Sequence, residues 1–120
     1  MSEKLVVTVT VGPDDPEKAT FAFIMANTAL IMEMDVTMIF QSNGIYNVTK
    51  GTYEHIKAVE HETIKEHVDN FIENGGKLLA CIPACISKEI PKDQLIDGVQ
   101  MIKAGRALKE MMEANLVLNY

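Results

Sequence analysis

Grouped positive charge is the first thing missing from this chain. Its 11 lysines and arginines are scattered and face 17 acidic residues, for a formal charge of -6 and a pI near 5.0. A nucleic-acid surface neutralises phosphates with clustered cations, so DNA and RNA are excluded as expected partners. Long apolar runs are missing as well. None reaches the roughly 20 residues that a membrane-spanning helix needs, and the opening MSEKLVVTVTV has neither the basic start nor the small-residue cleavage site of a secretory signal. The expected location is the cytoplasm, with no membrane partner. Cysteine is scarce, with only Cys81 and Cys85, and in a reducing compartment such a pair is expected as thiols and not as a structural staple. A glycine-rich phosphate cradle is also lacking: Gly12 is followed by Asp14 and Asp15, which carry the wrong sign for phosphate. Nucleotide and flavin cofactors are therefore not expected.

What is present is the material of one ordinary domain. Hydrophobic residues make up 48% and charged residues 23% of the 120 positions, proportions that support a packed core and exclude a disordered chain. A single domain over residues 1–120 is the expectation. Leu5 to Val11, LVVTVTV, reads as a strand covered on both faces. Gly12 to Pro16 breaks it, and Asp15 before Pro16 starts a helix that runs to about Met32. That helix is apolar on nearly every side from Ala19 to Met34, where a surface helix shows one stripe. Its excess apolar area is expected to face another subunit.

Val36 to Phe40 is a second strand, closed by the turn residues Gln41-Ser42-Asn43-Gly44. Residues 45–62 show no clean period. Ile64, Val68, Phe71 and Ile72 mark a helix that stops at Gly75-Gly76. Lys77 to Ile82 is a third strand, since Pro83 forbids its continuation in a sheet interior, and Ala84 to Lys88 a short helix. Lys92 to Asp97 reads as a polar connection, Val99 to Ile102 as a fourth strand, Gly105 to Glu113 as a last helix and Leu116 to Asn119 as a closing strand. Alternation of this kind builds an α/β fold: a mostly parallel five-stranded sheet with helices on both faces, in three layers as in flavodoxin-like folds.

Ligands of such sheets bind beyond the carboxyl ends of the strands, at a switch in topology. Cys81 falls at one of those ends, next to a helix start whose free N–H groups and dipole favour a thiolate, which makes it a candidate nucleophile. Cys85 follows one helical turn later and on nearly the same face, where it could resolve an intermediate on Cys81. Buried packing is the alternative role for both, because free cysteine is among the most buried residue types. Gln41, Ser42 and Asn43 line the same crevice if the second and third strands are neighbours, and are otherwise plain turn residues. His55, His61 and His67 are spaced by six, which puts successive rings on different faces of a helix and speaks against a metal site. Glu54, Glu60, Glu62, Glu66 and Asp69 read as a solvated helical face. The methionines, Met25, Met32, Met34, Met38, Met101, Met111 and Met112, read as core and contact filling.

The string LLACIPACISKEI, preceded by a helix ending in Gly75-Gly76, resembles the segment of the DsrE/DsrF-like sulfur-relay family in which a strand delivers a cysteine to a helix start. VVTVTVGPDDPEKATFAFIMANTALIMEMDVTMIF is similar to that family's first strand, apolar helix and second strand, and EANLVLNY to its closing strand. The resemblance implies α/β subunits assembled as a homotrimer or homohexamer. It also implies a sulfur-transfer role in which Cys81 carries sulfur as a persulfide between donor and acceptor proteins. Lys88, near the far end of the short helix, would then be placed to hold an anionic donor or would simply be solvated. Two other functions stand beside this one: a non-catalytic binding or assembly module with both cysteines packed, and a dithiol redox protein using Cys81 and Cys85.

Overall fold

A computed structural model describes residues 3–120. Five strands alternate with helices: β1 (Lys4–Val9), α1 (Pro16–Ile31), β2 (Asp35–Phe40), a 3₁₀ segment (Ser42–Val48), α2 (Ile64–Glu73), β3 (Lys77–Cys81), α3 (Ile82–Ser87), a second 3₁₀ turn (Lys92–Gln94), β4 (Val99–Ile102), α4 (Ala104–Met112) and β5 (Leu116–Asn119). The strands lie in the order β4-β3-β2-β1-β5. Every pairing is parallel, so the sheet is wholly and not mostly so.

Period-two alternation along the strands sorts side chains between two layers. Leu5, Val7 and Val9 of β1, Val36, Met38 and Phe40 of β2, and Leu78 and Ala80 of β3 share one core with Phe23 of α1, Phe71 of α2 and Ala84 of α3. On the reverse face Val6, Ile39, Leu79 and Ile102 meet Ala107 of α4. Three helices thus cover one face and a single nine-residue helix covers the other. That asymmetry follows from connectivity. Steps β1 to β2, β2 to β3 and β3 to β4 advance one strand in the same direction, whereas β4 to β5 runs back across the whole sheet, and right-handed crossovers in opposite directions must pass over opposite faces.

The helix boundaries come from local chemistry. Asp15 caps α1 by accepting the Lys18 N–H at 3.1 Å, with Pro16 in the first turn. Thr63 caps α2 through the Glu66 N–H at 3.3 Å, and Gly75 closes it in the left-handed region at φ 89°. On α4, Glu110 accepts from Lys4 of β1 and from Arg106, each at 2.7 Å, which ties the lone helix of its face to the sheet.

Residues 42–62 depart most from expectation. The Ser42–Val48 segment was unmarked by any period, because it is held by backbone proximity and by side chain-to-backbone bonds. Asn47 Nδ2 donates to the carbonyls of Val11 at 2.8 Å and Gly44 at 2.9 Å. Tyr53, Ile56 and Ala58 then bury without forming a helix. The acidic residues around them do not form one helical face, since only Glu66 and Asp69 lie on α2. The connection expected to be polar, Lys92 to Asp97, buries Leu95 and Ile96, and Ile96 N–H bonds to the Val48 carbonyl at 2.9 Å. Among the described residues, no helix is long and apolar enough to cross a membrane.

Candidate functional site

Cys81 is the last residue of β3 and the N-cap of α3, in extended backbone at φ -73° and ψ 121°. Its side chain makes no capping hydrogen bond and is partly exposed. The helix begins two residues earlier than Ala84, so Pro83 sits inside its first turn, where its missing N–H costs no intrahelical bond.

Two features set the surroundings of this thiol. The exit from β3 passes through α3 on the three-helix face, while the exit from its neighbour β4 passes through α4 on the opposite face. Adjacent strands with divergent exits leave a crevice between their carboxyl ends, and Cys81 is paired there with Ile102. On the other side, the pairing of Phe40 with Ala80 brings Gln41, the next residue of the chain, beside Cys81. The result is a hollow of about 270 Å³ lined by Gln41, Cys81, Ala104, Ala107, Leu108 and Met111. Of the turn residues expected at this crevice, Gln41 lines the hollow. Ser42 is exposed with a left-handed φ of 51°, and Asn43 does not line the hollow. Sequence reasoning missed the α4 wall. Its signal was nevertheless there, since positions 104, 107, 108 and 111 recur at the three- and four-residue spacing of one helical face.

Cys85 is placed differently. It is 1% exposed within the three-helix core, and burial followed by the proximity of Cys81 raises its thiol above the usual cysteine range. It borders a separate apolar hollow of about 390 Å³ with Ile86, Ile90 and Met101. The four-residue spacing does not put the two sulfurs on one exposed face, because Cys81 is an extended cap and not a helical residue. Both are free thiols. Lys88, the C-cap of α3, does not line the Cys81 hollow. The Asp14 carboxyl is held below its usual range first by the Gly12 N–H at 2.8 Å, and the charge of Lys88 adds to that.

The histidines do not converge. His67 packs its ring against Phe23, with centroids 6.4 Å apart, and His61 meets Phe21 edge-on at 6.0 Å. Among the described residues, no three His, Cys, Asp or Glu side chains gather as a metal site.

An all-parallel five-stranded α/β domain with a thiol at the switch between β3 and β4 defines the class. The model of the DsrE/DsrF-like family matches residues 3–120, and the chain belongs to that family. Two relatives come from Methanocaldococcus jannaschii. The uncharacterized protein MJ0989 is 26% identical over 117 residues, covering 98% of this chain and 99% of that protein. The uncharacterized protein MJ0760 is 24% identical over 114 residues, 95% of this chain but only 42% of that longer protein. Among solved structures, the ychN protein from E. coli superposes with a TM-score of 0.83 at 18% identity over 100% of both chains. MTH1491 from Methanobacterium thermoautotrophicum, a protein of unknown function, superposes with a TM-score of 0.75 at 14% identity, covering 99% of this chain and 100% of that one. Both likenesses establish the fold.

Proposed function

We propose that this chain is a sulfur carrier that accepts a sulfur atom on Cys81 as a persulfide and passes it to a partner thiol. The observation that carries the reading is the placement of Cys81: a partly exposed, uncapped sulfur at the strand-to-helix junction, opening on the hollow between β3 and α4, in a chain of the DsrE/DsrF-like family. In loading, the Cys81 thiolate attacks the outer sulfur of a donor persulfide R–S–SH. A bond forms between Cys81 Sγ and that sulfur as the donor S–S bond breaks, and the electron pair leaves on the donor as R–S⁻. The proton stays on the transferred sulfur. In delivery an acceptor thiolate repeats the attack on the outer sulfur of Cys81–S–SH, and Cys81 leaves as the thiolate. Donor and acceptor are proteins in this reading, the compartment is a reducing cytoplasm, and the carrier works as a homo-oligomer.

Burial of Cys85 and its raised pKa weigh against the dithiol alternative, which needs that sulfur to attack. Intact-mass spectrometry after incubation with a persulfide donor tests the proposal. Addition of one sulfur atom is expected to the wild type and to Cys85→Ser, and not to Cys81→Ser. Native thiol titration is expected to find one reactive thiol, with the second reacting only after unfolding. A protein that gains no sulfur, with both thiols silent until denatured, would be a packing module and not a carrier.

A further inference from the structure

The walls of the Cys81 hollow restrict what can load it. Ala104, Ala107, Leu108 and Met111 of α4 form an apolar side, and Gln41 is the one polar side chain among the lining residues. Among the described residues, no cation lines the hollow. Lys88 is not among the lining residues, Lys103 at the N-cap of α4 is exposed to solvent, and Arg106 is held by Glu110 at 2.7 Å. The chain as a whole carries a formal charge of -6. An anionic head group entering this space would shed water without gaining a side-chain counter-charge from the lining residues, a loss that an uncharged body avoids.

Resting on the sulfur-carrier reading above, we infer that the hollow between Cys81 and α4 is a donor subsite that takes persulfides presented on an uncharged, apolar surface of the donor protein and discriminates against persulfides flanked by anionic groups. Small hydropersulfides serve as probes of that preference. Gln41 acts there as a catalytic residue that hydrogen-bonds the reacting sulfur. Its backbone is fixed, with its N–H on the Val9 carbonyl at 2.9 Å and its carbonyl on the Gly44 N–H at 2.8 Å. Its carboxamide is the one side-chain hydrogen-bond donor among the lining groups other than the thiol, and so the group available to hold the charge that develops on sulfur during exchange. Leu108 is 59% exposed at the mouth and meets the incoming body first.

The test compares two donors with the same reacting group, benzyl hydropersulfide and glutathione hydropersulfide, by the rate of sulfur addition to Cys81 in the Cys85→Ser protein. Each rate is divided by that donor's rate with the same protein unfolded in urea, which removes intrinsic reactivity. Folding is expected to favour the benzyl donor by about tenfold. Leu108→Lys is expected to narrow that ratio by raising the rate with the glutathione donor. Gln41→Leu is expected to lower the maximal loading rate for both donors while leaving the donor concentration for half-maximal rate little changed, with Gln41→Asn restoring part of the rate. Equal normalised rates for the two donors, or a ratio unmoved by Leu108→Lys, would overturn the subsite while leaving Cys81 a carrier. Failure of both donors to load Cys81 would instead remove the carrier reading itself.

Discussion

His67 sits on α2 with its Nε2 buried and without a hydrogen-bond partner, against the ring of Phe23. Burial lowers its pKa from the usual 6.5, with His61 adding to the depression and Glu62 and Glu66 opposing it. The consequence for stability has a definite sign. A base whose folded pKa is lowered stays neutral in the native state while the unfolded chain takes up the proton, so stability is whole above 6.5 and falls as pH drops through that value. The urea midpoint of the wild type is expected to decrease between about pH 7.5 and 5.5, and His67→Phe to flatten that decrease by removing the titrating group. An unchanged slope in the variant would show that other groups set the pH dependence. His67 was visible in the sequence only as one of three histidines at an unhelpful spacing; what gives it a distinct role is Phe23, 44 positions away, which no local pattern reports.

At the scale of elements, strands and helices were legible wherever a period or a cap announced them. Asp15-Pro16 and Gly75-Gly76 fixed helix ends because their chemistry is local, and the apolar runs of β1, β2 and β3 could only be buried strands. The position of Cys81 at the strand end was legible for the same reason, through Pro83. Its α4 wall was not, because which helix returns over which face depends on strand order, and β4-β3-β2-β1-β5 is a tertiary choice. The Ser42–Val48 segment was hidden for another reason: it is stabilised by contact with β1. A Cβ built on Gly44 would lie 1.9 Å from the Val9 carbonyl oxygen, so only glycine lets this segment close on the strand. Gly44→Ala is expected to destabilise the fold by about 2–3 kcal/mol, measured as a lowered urea midpoint, because backbone must move to relieve the clash. A variant as stable as the wild type would mean that the segment lifts from β1 at no cost.

Taken as a whole molecule, the domain presents two unlike faces. The α4 side holds the Cys81 hollow under a single helix that exposes Leu108 and Met112, while the α1–α2 side carries a second set of exposed apolar residues that the core does not use. Phe21 and Met25, 45% and 42% exposed, stand one turn apart on α1, and Ile72 is exposed on α2, the helix packed beside it. The sequence suggested this surplus through the all-round apolar character of α1, and the fold explains why it persists: a 16-residue helix on a small sheet can bury only one side, here Ala19, Ala22, Phe23, Ala26 and Ala29. Assembly through this face would cover apolar surface and leave the hollow on the reverse face open to a donor. In size-exclusion chromatography with light scattering, the protein is expected at a multiple of its 13.3 kDa chain mass. The double substitution Phe21→Glu with Met25→Glu is expected to shift it toward 13.3 kDa with unchanged circular dichroism and with Cys81 still reactive. A wild-type monomer would remove the assembly, and loss of assembly on Leu108→Lys instead would place the contact on the α4 face, where subunits and donors would have to compete for the same approach to the thiol.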